Sequence, residues 1–124
     1  MSDDVEQAID RLTSEHVDEV EDAMELLRSV PDEAHDAVAA ALAAHRGDQA
    51  NLALLLGEWG RPESVPVLRE AVERGAYSLR YAAAMALAGH ADPAAAGALV
   101  DLARSATPEV AEMATLALRE RERR

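Results

Sequence analysis

Three prolines set the frame of this 124-residue chain: Pro31, Pro62 and Pro93 recur at an interval of 31 residues. Proline suits the first turn of a helix, where its missing N–H would have had no partner anyway, so each one marks a helix start. The same interval carries Leu52, Leu55 and Leu56 onto Ala83, Ala86 and Leu87, and then onto Ala114, Ala117 and Leu118. It also carries Val65, Leu68 and Val72 onto Ala96, Leu99 and Ala103, and back onto Ala34, Ala37 and Ala41. Both sets are spaced as one face of an α-helix. Two apolar stripes per interval mean two helices per interval.

Start and stop signals agree. Asp48, Ser78 and Thr107 stand where N-caps belong, and Asp92-Pro93 and Thr107-Pro108 join a cap to a first-turn proline. Gly47, Gly57, Gly60, Gly75 and Gly89 fall near the proposed helix ends. The pattern predicts helices near residues 3–13, 16–29, 32–45, 48–58, 63–74, 79–89, 93–104 and 108–122, which make four antiparallel hairpins. One hairpin is too thin to bury both of its stripes, so neighbours must stack into a continuous core, giving an all-α fold of the α-solenoid type. A closed bundle would also suit short links and amphipathic helices, but it supplies no reason for the recurrence. Residues 1–30 fit the interval only after a slip, through Val17, Val20, Ala23, Met24 and Leu27. They are expected to form an atypical capping repeat ahead of regular repeats over 31–124, within one domain spanning 1–124.

Composition supports helices and excludes several chemistries. The chain holds 28 Ala and 15 Leu but no Phe and no Lys, so pleated surfaces lack the side chains that fill them while helix axes can approach closely. It has no cysteine, which removes thiolate catalysis, disulfides and the usual structural zinc sites. No apolar run nears the ~18 residues of a membrane span, and Met1-Ser2-Asp3-Asp4 is acidic where a secretory signal carries bases. The expectation is a soluble, cytoplasmic protein.

The net charge of −12 is unevenly placed. Residues 1–36 carry 13 acids against Arg11 and Arg28, a net of −11, and a nucleic-acid backbone would be repelled there. Two readings fit this acidic third: a solvated surface that maintains solubility, or a docking face for a partner protein with a basic patch.

Leu79-Arg80-Tyr81-Ala82-Ala83-Ala84-Met85-Ala86-Leu87, followed by Gly89-His90-Ala91-Asp92-Pro93-Ala94-Ala95-Ala96 and Ala98-Leu99, resembles a short HEAT repeat of the kind called phycobilisome-lyase-like. The resemblance extends over residues 48–118. Asp48-Gln49 and Val110-Ala111 stand at the other Val-Arg positions of that pattern, so Arg80 is the one family-type arginine, and Arg61-Pro62 replaces one Asp-Pro. The resemblance implies a non-catalytic scaffold that binds a partner protein, with the second helix of each hairpin lining a concave face. The family name alone suggests an alternative, an accessory bilin-lyase or lyase-chaperone role.

On the second helices, the positions outside the Leu/Ala stripe align as Ala50, Tyr81 and Glu112, as Ala53, Ala84 and Thr115, and as Gly57, Ala88 and Arg119. They predict a shallow groove with an alanine floor, bearing Arg80, Tyr81, Glu112 and Arg119, unless the small residues serve instead to let helices approach. Trp59, the only tryptophan, is either an anchor for a partner pocket or a plug between hairpins, and Tyr77 is expected to pack. His16, His35, His45 and His90 form no spaced ligand pair, and there is no phosphate loop, nucleophile elbow or acid–histidine signature. Neither cofactor nor catalysis is expected.

Overall fold

The computed structural model describes residues 2–124 as eight α-helices and one 3-10 turn, with no strand among those residues. Two compact units emerge, one ending at Leu52 and the other beginning at Ala53.

The first unit contains α1 (Ser2–Arg11), α2 (Val17–Ser29), α3 (Pro31–Ala43) and the start of α4 (Gln49–Trp59). Val5, Ala8 and Ile9 on α1 and Leu12 just after it recur at helical spacing, and α1 packs against both α2 and α3. They meet Ala23, Met24 and Leu27 of α2 and Ala34, Val38 and Leu42 of α3 in the buried core of this unit. The acids Asp3 and Asp4 sit in the first turn of α1, where the exposed N–H groups favour negative charge. Beyond α3, His45 takes a left-handed φ of 57°, and the N–H of Arg46 reaches back to the Ala41 carbonyl at 2.9 Å. The Asp48 carboxylate then caps α4 by accepting from the N–H of Asn51 at 3.2 Å.

The second unit contains the rest of α4, the 3-10 turn Pro62–Ser64, α5 (Val65–Arg74), α6 (Tyr77–Gly89), α7 (Pro93–Ala103) and α8 (Pro108–Arg123). α5 pairs with α6 and α7 with α8, while α6 also lies against α8 and α5 against α7. The two hairpins are therefore stacked in register, as a solenoid requires. Leu55, Ala86 and Ala117, related by the 31-residue interval, are all buried. On the first helices Leu68 and Leu99 correspond and are fully buried, but Ala96 and Ala103, placed in the stripe by the sequence pattern, are half-buried. Those alanines offer little apolar area, and the buried side of α7 consists of Ala95, Ala98, Leu99 and Leu102.

Several start signals are corrected by the structure. Pro31, Pro93 and Pro108 begin helices, but Pro62 begins a 3-10 turn. Pro66 has no N–H to give to the Pro62 carbonyl, so the i to i−4 bond cannot form; the N–H of Val65 takes that carbonyl. Ser78 lies inside α6, whose N-cap position is Ala76, and Thr107 occupies the N-cap of α8 without a side-chain capping bond. Asp92 does cap α7, accepting from the N–H of Ala94 at 2.8 Å. Gly57 is not an end residue but lies within α4. No helix of the described residues is long and apolar enough to cross a membrane.

Candidate functional site

Every second helix of the second unit buries a wide arc and exposes a narrow one. On α6, Leu79, Ala83, Ala84, Ala86, Leu87 and Ala88 are buried, leaving Tyr81, Met85 and Gly89 along one open line. On α8 the corresponding line runs through Glu112, Leu116 and Glu120. Leu54, Met85 and Leu116 stand 31 residues apart, so the repeat places one apolar side chain at the same point of three successive second helices. Leu54 is 44% exposed, Leu116 52% and Tyr81 49%, while Met85 is half-buried between them.

These residues line connected shallow hollows. One of about 200 Å³ includes Leu54, Gly57 and Met85; a second of about 200 Å³ includes Tyr81, Met85, Leu116 and Arg119. A third, of about 410 Å³, is lined by Ala111, Glu112, Thr115, Leu116 and Arg119. Met85 joins the first to the second, and Leu116 with Arg119 joins the second to the third. Around them lie Glu58 and Arg123, and Glu120 accepts from Arg123 at 3.4 Å and faces Arg124 at 3.9 Å. The surface is an apolar ladder with a rim of both signs, the composition of a protein-interaction patch. Among the described residues no three His, Asp or Glu side chains converge as metal ligands.

The residues singled out from sequence divide between this surface and the scaffold. Tyr81, Glu112 and Arg119 come together on it. Arg80 is half-buried and its Nε donates to the Val72 carbonyl at 2.9 Å, tying α6 to α5. Trp59 is half-buried at the end of α4 and lines none of the three hollows. Ala53, Gly57, Ala84 and Ala88, expected as the groove floor, are buried. Tyr77, expected to pack, is 74% exposed in the first turn of α6. The ladder Leu54, Met85 and Leu116 was missed, although its signal was the very interval used to find the helices.

The family model for HEAT repeats matches residues 20–119. The chain belongs to the HEAT-repeat family. The matched stretch begins inside α2 and takes in every helix that carries the ladder. No curated protein and no solved structure matches the chain. HEAT repeats are generally protein-interaction scaffolds, and repeat stacking gives them extended surfaces for that purpose.

One further register position shows how these HEAT hairpins are joined. His90 is buried, and its Nδ1 accepts the N–H of Asp92 at 3.1 Å, which leaves the proton of a neutral ring on Nε2. Nε2 lies 3.1 Å from both the Arg61 carbonyl and the Ser64 hydroxyl, where the chain leaves α4 and enters the α5–α6 hairpin. One interval later, Arg121 lays its guanidinium over the C-terminal end of α6: Nη1 donates to the carbonyls of Leu87 at 3.1 Å and His90 at 2.6 Å, and Nη2 to that of Asp92 at 3.3 Å. An arginine in the last turn of a helix ordinarily favours the dipole of that same helix. The side chain of Arg121 instead satisfies carbonyls of the neighbouring hairpin.

Proposed function

We propose that this HEAT-repeat chain is a non-catalytic scaffold that holds a partner protein against the open line of α4, α6 and α8. The observation that carries the proposal is the in-register placement of Leu54 and Leu116, both exposed, with half-buried Met85 between them, beside Tyr81. A core-forming repeat normally turns its Leu and Met inward, and three outward ones at one repeat position form a contiguous patch of the sort that marks interaction sites. Tyr81 supplies an amphipathic anchor, and Glu112 and Arg119 flank it with opposite charges. Trp59 and Arg80 support the helices from which that face is presented.

A second reading has its own observation. All 13 acids of residues 1–36 are exposed except Glu6, which pairs with Arg46, so this segment offers a dense negative surface to a basic partner.

Capture of a partner from native lysate, identified by mass spectrometry and repeated with the purified partner, tests both. Tyr81→Ala and Met85→Glu are each expected to weaken capture about tenfold or more, since truncated anchors commonly cost over 1 kcal/mol, with circular dichroism and melting unchanged. Unaltered capture by both variants would refute the groove. Capture that also collapses as salt is raised assigns binding to the acidic segment.

A further inference from the structure

The 410 Å³ hollow on α8 has a meaning that the repeat itself supplies. Thr115 and Arg119, which line it, occupy the register positions of Ala84 and Ala88 on α6 and of Ala53 and Gly57 on α4. Those four equivalents are buried, and α6 covers its pair with α8. On α8 the same face is open: Arg119 and Leu116 are exposed and Thr115 is half-buried. It is a berth for one more helix. The berth is not apolar throughout, because Glu112 and Arg119 lie on either side of its centre, seven residues and so about 10 Å apart along the axis. Neither forms an ion pair among the described residues.

From this we infer that the occupant is α8 of a second copy, running antiparallel across a two-fold axis that passes between Thr115 and Leu116. Such an axis brings Glu112 of each copy opposite Arg119 of the other, so two unpaired charges become two matched pairs by one operation, as a self-complementary interface requires. Thr115 and Leu116 then face each other at the centre, with Ala111 leaving room beside them. The acidic excess of the chain does not oppose this, because residues 53–124 carry ten acids against nine arginines and are nearly neutral. The inference does not rest on the groove, since Leu54, Tyr81 and Met85 lie outside the berth; Glu112, Leu116 and Arg119 belong to both, so on α8 pairing and partner capture exclude one another.

Sedimentation velocity of the full chain across a concentration series tests the pairing. The mass should rise from 13.3 kDa toward twice that value. Glu112→Arg and Arg119→Glu, each checked for unchanged circular dichroism, should weaken self-association about tenfold or more, because each sets like charges opposite one another at both symmetric contacts. An equimolar mixture of the two variants should regain association, since each then faces its opposite. A chain that stays at 13.3 kDa throughout overturns the inference. So does a dimer indifferent to both reversals, or one that the mixture fails to restore, either of which would place the contact elsewhere.

Discussion

Replacing Gly57 with Val should lower the stability of the chain by about 3 kcal/mol or more, the upper range for overpacking a close contact. A Cβ at this position would lie 2.8 Å from the Cα and Cβ of Ala86 and 2.9 Å from its carbonyl oxygen. Those are atoms fixed to the backbone of α6, which cannot step aside as a flexible side chain would, so α4 and α6 must separate along their shared length. Gly57→Ala tests the same contact more gently. Alanine gains roughly 0.5–1 kcal/mol of helix propensity over glycine, yet the clash should exceed that gain and leave a net loss of about 1–2 kcal/mol. Gly97 provides the control. It lies within α7 and a Cβ there meets nothing within 4 Å, so Gly97→Ala should raise stability by about 0.5–1 kcal/mol. Urea titrations of the three variants check the ordering. If Gly57→Ala proved as stabilising as Gly97→Ala, the close approach of α4 to α6 would be wrong.

That contact also explains where the sequence was legible and where it was not. The interval of 31 residues identifies equivalent positions, and prolines at helix starts mark boundaries, so the eight helices and the pairing of α1 with α2, α5 with α6 and α7 with α8 follow from sequence with shifts of a few residues. What the interval does not say is which side of a second helix the next hairpin covers. Ala53, Gly57, Ala84 and Ala88 are small either because nothing lies over them or because a helix lies so close that nothing larger fits, and the pattern is identical in the two cases. The closeness of Ala86 to Gly57 decides for the second. With those residues assigned to the inside, the open arc must rotate to Leu54, Met85 and Leu116, which a hydrophobicity argument alone assigns to the core. Tyr77 fails for a related reason: α6 begins two residues earlier than the serine cap suggested, which turns Tyr77 out into solvent in the first turn. Asp92 was legible because a capping carboxylate acts on its own helix. Arg121 was not, because its partners lie 29–34 residues away in the preceding hairpin.

Arg121→Met should cost about 2 kcal/mol, in the range for hydrogen bonds made by a charged group to partners removed from bulk water. The last carbonyls of a helix have no partner within it, and those of α6 end in a turn that must lead straight into Asp92 and Pro93 at the start of α7. The guanidinium supplies what the helix lacks, reaching the Leu87, His90 and Asp92 carbonyls from one planar group while bringing positive charge to the negative end of the dipole. Methionine preserves much of the stem and its packing, so the measured loss reports the bonds. Arg121→Lys should recover about half, because an ammonium retains the charge but cannot span carbonyls on both sides of the turn at once. Arg119→Met, two residues earlier on the same helix and exposed, should change monomer stability by no more than about 0.5 kcal/mol. Thermal melts at a concentration low enough to keep every variant monomeric separate the two arginines. Equal melting of the Arg121 and Arg119 variants would mean that the joint between the hairpins rests on apolar packing alone.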